Sequence, residues 1–189
     1  MTVPEPATDE LAGLFRLAFR RQAATVAIIT FDDAHHRPCG MTATAVCPLS
    51  ASPPSVLASV NRAARTRDQI RGAGSFGVNF LGPSQEMIAT HCSKPGWDKT
   101  LPFAWVLSGE EAGQARTPVI AGGAAHLDCT VSAVHDIYTH SLFVGRVTQI
   151  WLGPAREPLI YCDGAYCRLD AGTEHAYEQL WERVMSSFL

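Results

Sequence analysis

Short apolar runs rich in β-branched residues recur along most of this chain and are separated by turn residues. The clearest are TVAIITF (25–31), SVLASVN (55–61) and SFGVNFL (75–81). Two longer runs, AHLDCTVSAVHDIY (125–138) and SLFVGRVTQIWLG (141–153), follow each other closely enough to form a hairpin. This order favours a mainly β (α+β) fold, a closed and mostly antiparallel barrel, over a parallel α/β sheet.

Helical periodicity marks both ends of the sequence. Apolar residues recur at helical spacing from Leu11 to Phe19, which predicts a helix from Thr8 or Asp9 to about Gln22. Shorter helices are expected over ARTRDQIRGAG and over PSQEMIATHC, the latter with Pro83 in its first turn. Residues 1–8 are predicted to form a loose arm and 9–189 a single domain. The final helix is expected from about Thr173, with an apolar stripe made of Tyr177, Leu180, Trp181, Val184, Met185 and Phe188.

Charge and hydropathy exclude several classes of protein. The net charge of −3 argues against a nucleic-acid binder, and no apolar run reaches the ~18–20 residues of a membrane helix. The acidic N-terminus does not resemble a signal peptide, so a cytoplasmic location is expected, with the six cysteines as reduced thiols. No metal site is predicted, because the cysteines show no zinc spacing. The basic run Arg62, Arg65, Arg67 and Arg71 fits either a solvated helix face or a phosphate contact.

One apparent nucleotide motif lies in the wrong context. GAGSFG (72–77) matches G-x-G-x-x-G, but a helix is predicted before it and a strand after it. A dinucleotide fingerprint needs the reverse order, so that the pyrophosphate meets a helix N-terminus. These glycines are better explained as a helix C-cap and the beginning of a strand.

The segment Gly40–Ala45 (GMTATA) is a strand with few large side chains. Small residues let a flat ligand lie against the backbone, whose N–H and C=O groups then recognise it. They also allow a tightly packed sheet crossing, in which a neighbouring element fills the space. Both explanations remain open from composition alone.

Polar residues that suit a phosphate ester follow this strand. Ser59 and Asn61 share one side of the next strand, and the chain then reaches Thr66 and a helix start. Ser93 and Lys94 supply another hydroxyl and cation in a loop. Together they indicate a pocket for a planar, phosphorylated ligand. His140, at a hairpin turn or strand start, is the remaining candidate, although a lone histidine is often structural.

These residues resemble the flavin reductase-like split-barrel family, the short-chain NAD(P)H:flavin oxidoreductases that supply reduced flavin to two-component monooxygenases. The resemblance runs from about Leu14 to Leu169 and is most specific in GMTATAVCPLSASPPSVLASVNRAART. It is carried further by FGVNFL, HCSKPGWDK, HLDCTVSAVHDIYTHSLFVGRV and PLIY. It implies an FMN-binding split barrel of Greek-key type with flanking helices. It also implies FAD or FMN as flavin, NADH or NADPH as hydride donor, and a homodimer with the flavin near its interface.

The resemblance also implies residue roles. Ser59, Val60, Asn61 and Thr66 hold the flavin phosphate, and Ser93 and Lys94 close over it. His140 lies near the flavin–nicotinamide stack as the catalytic residue. The flavin ring and part of its ribityl chain are lined by Pro38, Cys39, Gly40, Met41, Thr42, Ala43, Thr44 and Ala45, and the nicotinamide is approached by His140, Tyr161, Cys162, Asp163, Gly164 and Tyr166.

Two positions depart from the family pattern. Tyr138-Thr139 stands where Gly-Asp often precedes the histidine, which puts a carboxylate partner for His140 in question. Cys162-Asp163 stands where an aromatic residue or His is often followed by Arg, and an Asp there would repel a nucleotide phosphate that it faced. The choice between NADH and NADPH therefore stays open.

Three other functions compete with a reductase. One is an FMN-binding split barrel that stores or senses flavin without turnover, and a weaker one is an enzyme like pyridoxamine-phosphate oxidase. A His/Cys metal protein is the third, and it would carry stoichiometric metal. His140 and the Tyr161–Tyr166 segment discriminate, because a pure flavin binder would not need them.

Overall fold

The computed structural model describes residues 9–108 and 111–169. The helices are α1 (Asp9–Arg20), α2 (Arg65–Ala73) and α3 (Glu86–Ser93), with a 3₁₀ turn at Phe103–Trp105. The predicted first helix and the long hairpin are confirmed. The strands are β1 (Ala24–Thr25), β2 (Ala27–Asp32), β3 (Pro38–Ala43), β4 (Val46–Ala51), β5 (Pro54–Asn61), β6 (Ser75–Phe80), β7 (Ala125–Ile137), β8 (His140–Leu152), β9 (Ile160–Cys162) and β10 (Ala165–Cys167).

Seven strands form one antiparallel sheet that closes on itself. Their order is β3-β2-β6-β7-β8-β5-β4, which places β3 and β4 at opposite edges. Only Thr44 and Ala45 separate these two strands in the chain, so the two edges must meet there. The Ser59 N–H donates to the Ala45 carbonyl at 3.0 Å beside this junction. The predicted antiparallel barrel is therefore confirmed, and its closing point lies inside the small-residue segment.

Two apolar cores occupy the two faces of the barrel wall. The interior is filled by large side chains such as Phe31, Phe76 and Phe143, and α2 adds Ile70 to it. The rings of Phe76 and Phe143 meet edge to face at 6.4 Å. The second core lies outside the wall, where α3 packs Ile88, Ala89 and Cys92 against the outward side chains of Val26 and Ile28. Along β2, Ala27, Ile29 and Phe31 face the interior core and Ile28 faces the outer one, because successive residues of a strand point to opposite faces.

A smaller sheet, with strand order β1-β9-β10, lies beside the barrel. Its β9–β10 turn contacts the end of α1, where the Asp163 N–H donates to the Arg20 carbonyl at 2.6 Å. Gly164 in this turn has φ of +84°, a left-handed conformation that favours glycine. The first helix thereby holds the hairpin that carries Tyr161 and Tyr166.

Other details sharpen the predicted elements. Gly74 ends α2 with φ of +67°, and its N–H donates to the Ile70 carbonyl, so the GAGSFG glycines form the expected C-cap. Helix α3 begins at Glu86, which places Pro83 before the helix instead of in its first turn. The predicted arm (1–8) and final helix (from about 173) lie outside the described residues. None of the described helices has the length and apolar character needed to cross a bilayer.

Candidate functional site

The junction between β3 and β4 is small, polar and open. Thr44 and Ala45 are both exposed, and no strand pairing involves them. Backbone groups of such a bend are accessible to a ligand, because no long side chain stands over them. Ser59, the neighbour of Ala45 across the junction, is half-buried, and Val60 beside it is fully buried. Thr44 and Ala45 thus form an open surface, the junction shelf, which lies beside the buried end of β5.

The first half of the same segment is covered by protein. A Cβ atom at Gly40 would lie 2.7 Å from Ile28 Cγ2 and 3.2 Å from Cys92 Sγ. The Thr42 hydroxyl donates to the Ala89 carbonyl of α3 at 2.6 Å. At these two positions small size therefore serves the packing of α3, which is the alternative that composition left open. The remaining predicted residues of this strand are buried or half-buried, with Cys39, Met41 and Ala43 in or against the barrel core and Pro38 at the strand start.

The predicted phosphate residues lie where β5 passes into α2. The Asn61 side-chain oxygen accepts the Ala63 N–H at 2.9 Å, which turns the chain toward the helix. Ala64 occupies the N-cap and has no side-chain oxygen to satisfy the first N–H groups of α2. Thr66 is buried in the first turn, and Arg65 is exposed there. An uncapped helix start beside a cation suits an anionic group.

His140 stands next to this helix start. It opens β8, pairs with Asn61 of β5 and with Ile137 of β7, and is exposed. Its Nδ1 lies 2.9 Å from the Thr139 hydroxyl oxygen. The predicted catalytic histidine and the predicted phosphate segment are therefore neighbours in the sheet. Thr139, at one of the two departures from the family pattern, is the group beside its ring.

A polar network beneath His140 joins the β7–β8 hairpin to α2. Arg67 donates to the Ser141 hydroxyl at 2.9 Å and to the Asp136 carboxylate at 2.8 Å. Ser141, which is fully buried, donates to the other oxygen of Asp136 at 2.6 Å. The hydrogen bond from Ser141, followed by the charge of Arg67, outweighs desolvation and holds the pKa of Asp136 below its ordinary value. The network fixes the hairpin end that carries His140.

Sequence reasoning missed this network. Arg67 belongs to the basic run, but nothing in the sequence links it to a residue 74 positions away. The only available signal was the predicted hairpin, whose register places Asp136 opposite Ser141. Arg62 adds to the same attachment, because its N–H donates to the Thr139 carbonyl at 2.9 Å and its guanidinium to the Tyr138 carbonyl at 3.1 Å.

Ser93 and Lys94 lie at the C-terminal end of α3, which is the end away from the β3–β4 junction. Since Gly40 adjoins Cys92 and Thr42 adjoins Ala89, α3 runs antiparallel to β3, with Glu86 toward the junction. The eight residues of α3 span about 12 Å, and this length separates Lys94 from the junction end. The Lys94 ammonium lies 3.9 Å from the centre of the Trp97 ring, and the Ser93 hydroxyl donates to the Thr90 carbonyl at 2.9 Å.

The predicted nicotinamide segment lies against the same helix. The rings of Tyr161 and Tyr166 are 5.5 Å apart, and Tyr166 packs against the apolar cluster that contains Ile88, Ala89 and Cys92 of α3. Burial raises the pKa of Tyr166 above its ordinary value. Cys162 precedes the turn and its thiol faces the Arg21 carbonyl at 3.8 Å.

The second departure from the family pattern also has a structural outcome. The Asp163 carboxylate lies 3.8 Å from the Arg20 guanidinium, and both side chains are largely exposed. Its negative charge is thus accompanied by a cation of the first helix, which weakens the repulsion that it would exert on a nucleotide phosphate.

The predicted residues fall into two groups. The first lies around the junction and the start of α2 and includes Thr44, Ala45, Ser59, Asn61, Thr66 and His140. The second lies along α3 and includes Ser93, Lys94, Tyr161 and Tyr166. Across residues 9–108 and 111–169, no three His, Cys, Asp or Glu side chains are grouped to hold a metal.

Comparison with known proteins gives a consistent family. Residues 19–170 match the flavin reductase like domain. An NADH-dependent flavin reductase from Rhodococcus is 32% identical over 161 residues, which cover 82% of this chain and 85% of that protein. The reductase component of 4-hydroxyphenylacetate 3-monooxygenase from Escherichia coli is 34% identical over 155 residues, covering 81% of this chain and 89% of its own length.

Solved structures agree with these relatives. An NADH:FAD oxidoreductase from Streptomyces globisporus, determined in complex with NAD and FAD fragments, superimposes with a TM-score of 0.74 at 29% identity. The superposition covers 89% of this chain and 98% of that one.

Proposed function

The chain belongs to the flavin reductase like domain family, and we propose that it is an NAD(P)H-dependent flavin reductase acting on FAD or FMN. The observation that carries this proposal is the path from the open junction at Thr44 and Ala45, through Ser59, to the uncapped start of α2. This path offers a flat shelf for a ring and, one strand away, N–H donors for a phosphate.

The residues present fit a flavin without rearrangement. Ala45 leaves the shelf clear, and its carbonyl is already held by Ser59, so the shelf does not need to be ordered on binding. The first N–H groups of α2 have no side-chain cap, and Arg65 adds positive charge beside them. A phosphate would complete the helix cap that Ala64 does not supply.

When flavin and nicotinamide are bound together, they supply the chemistry, which is transfer of a hydride from the nicotinamide C4 to the flavin N5. The protein's task is to align the two rings and to exclude water. His140 is proposed to orient the nicotinamide amide or to stabilise negative charge at the flavin, because it is exposed next to Asn61. Arg67, Asp136 and Ser141 hold the hairpin end from which His140 projects.

The direct test is an oxidation assay. Purified protein is mixed with FAD or FMN and with NADH or NADPH, and the absorbance of the reduced nicotinamide is followed. Flavin-dependent oxidation with at least one of the four pairs is expected. Absence of oxidation with all four pairs would refute the proposed function.

The role of His140 has its own test. His140→Ala should lower kcat by about tenfold or more, since loss of alignment is costly in hydride transfer, while the flavin Kd changes little. His135→Ala, an exposed histidine on β7 outside the proposed site, is the matched control and should retain wild-type turnover. An unchanged kcat in His140→Ala would remove this residue from the site.

The reduced flavin is proposed to leave for a separate flavin-dependent monooxygenase in the cytoplasm, since one relative is the reductase component of such an enzyme. A cytoplasmic location also fits the six free thiols. A homodimer is proposed because α1 exposes more than half of Leu14, Phe15 and Phe19. A monomeric mass that does not change with concentration would overturn the dimer.

A further inference from the structure

A cavity of about 490 Å³ lies on the outward side of α3, apart from the junction shelf. Its aromatic end is formed by Trp97 and Trp105, with His91 between them. The imidazole of His91 meets Trp105 edge to face at 5.5 Å and Trp97 at 6.3 Å. His91 Nε2 lies 3.1 Å from the Thr100 carbonyl, which requires that this nitrogen donate and fixes the ring. The His91 ring, which contacts both indoles, is therefore held in place before any ligand arrives.

Polar groups complete the cavity. Lys94 stands over Trp97 at its aromatic end. Glu86 and Thr90 line the other end, which lies toward the β3–β4 junction because α3 runs antiparallel to β3. A ligand in this cavity would thus place its aromatic ring far from the junction, and it would place its hydroxyl groups nearer to the junction, beside the Glu86 carboxylate.

We propose that this cavity binds the adenosine group of the dinucleotide used by the enzyme. The Lys94 ammonium, which covers one face of Trp97 at 3.9 Å, moves aside to donate to the ring nitrogens of an adenine that stacks on the indoles of Trp97 and Trp105. The Glu86 carboxylate accepts hydrogen bonds from the ribose hydroxyls, as acidic residues do in other nucleotide sites. The phosphates then extend toward the junction. The proposal rests on the proposed function, and it adds the place of the adenosine and a preference for an unphosphorylated ribose.

The negative charge of Glu86 is the reason for the preference for a ribose without a 2′-phosphate. A ribose 2′-phosphate next to this carboxylate would bring two negative groups together, while a free hydroxyl can donate to it. The cavity therefore discriminates against NADPH if the adenosine comes from the pyridine nucleotide. FAD and NADH carry the same adenosine group, so kinetic experiments must separate these two sources.

The first test is direct binding of adenosine 5′-monophosphate to the wild-type protein, followed by tryptophan fluorescence and by calorimetry. Saturable binding is expected, and it should weaken about tenfold in Trp97→Leu, within the usual range for the loss of one base–aromatic stack. Phe103→Leu is the matched control, because Phe103 is 85% exposed and does not line the cavity. Absence of binding to the wild type, or equal weakening in the control, overturns the proposal.

The second test compares KM values in Trp97→Leu and Glu86→Gln. If FAD supplies the adenosine, the KM for FAD rises in the variants and the KM for FMN does not. If NADH supplies the adenosine, the KM for NADH rises and the KM for reduced nicotinamide mononucleotide does not. Glu86→Gln should narrow any preference for NADH over NADPH in the second case. Equal changes for the full and truncated ligands overturn the proposal. If wild-type protein oxidises none of the pairs, the reductase function fails, whereas adenosine monophosphate binding still decides the cavity's ligand.

Discussion

The two halves of the Gly40–Ala45 segment have similar small side chains and opposite surroundings. Gly40 and Thr42 lie under α3, where a single added Cβ would meet Ile28 at 2.7 Å and where the Thr42 hydroxyl is bonded to the helix. Thr44 and Ala45, two residues farther on, are exposed at the closing point of the barrel. The small side chains therefore allow α3 to pack closely on the strand in the first half, and they leave an open surface in the second half. Composition does not distinguish these two roles, but the position of α3 does.

The largest effect should come from filling the open half. Ala45→Trp places an indole on the shelf and should raise the KM for flavin on the order of 100-fold, because a steric overlap costs up to about 3 kcal/mol. Stability should change by no more than about 0.5 kcal/mol, as for most exposed positions. Flavin titration and urea unfolding measure the two quantities. Leu49→Trp, at an exposed position in β4 beyond the junction, is the control, and equal flavin affinities in both variants would contradict the assignment.

Filling the covered half should have the opposite pattern. Gly40→Ala forces a methyl group against Ile28 and Cys92 and should lower the free energy of unfolding by about 1–3 kcal/mol, with the flavin KM of the folded protein unchanged. Gly72→Ala in α2 is the matched control, because no atom lies within 4 Å of the added Cβ, and it should be neutral or stabilising. A stable Gly40→Ala protein that binds flavin poorly would place the ligand under α3 instead.

A smaller effect is expected from loosening the support of the open half. Arg67→Met removes the bonds to Ser141 and Asp136 and should lower kcat/KM about tenfold, since a displacement of the hairpin end misplaces His140. The free energy of unfolding should fall much less than in Gly40→Ala, since Asp136 is partly exposed and solvent weakens the pair. Arg71→Met, which loses the same charge but a 3.8 Å contact, should change kcat/KM much less. Equal losses of kcat/KM would show a general charge effect.

The smallest perturbation comes from chemical modification of cysteines, which compares the buried environment at α3 with the exposed one at β4. Burial raises the pKa of Cys92, on the inward face of α3, to about 12, so almost none of it is thiolate at pH 8. Cys47 is exposed on β4, beyond the junction. Iodoacetamide at pH 8 should therefore modify Cys47 in native protein and leave Cys92 intact until unfolding, as measured by peptide mass. Rapid modification of Cys92 would show that α3 opens readily.

The fold was predictable from the sequence to a large extent, because its strands are β-branched runs between turn residues and its long hairpin is continuous in the chain. The closing of the barrel at Thr44 and Ala45 was not, since it depends on which distant strands become the sheet edges. The candidate site likewise contains residues that could be predicted from the sequence and residues that could not. The exposed Asn61 and the neighbouring His140 were identified from local residue types. Arg67, Trp97 and Trp105 gain their proposed roles only from contacts made in three dimensions.

Hydrogen–deuterium exchange with and without saturating FMN tests the division of the Gly40–Ala45 segment most directly. If the open half receives the flavin, amides around 44–46 and 61–66 slow on FMN addition, while the exchange of α3 amides at 86–93 stays unchanged. Protection confined to α3, with no change around the junction, would contradict the assignment of the shelf to the flavin.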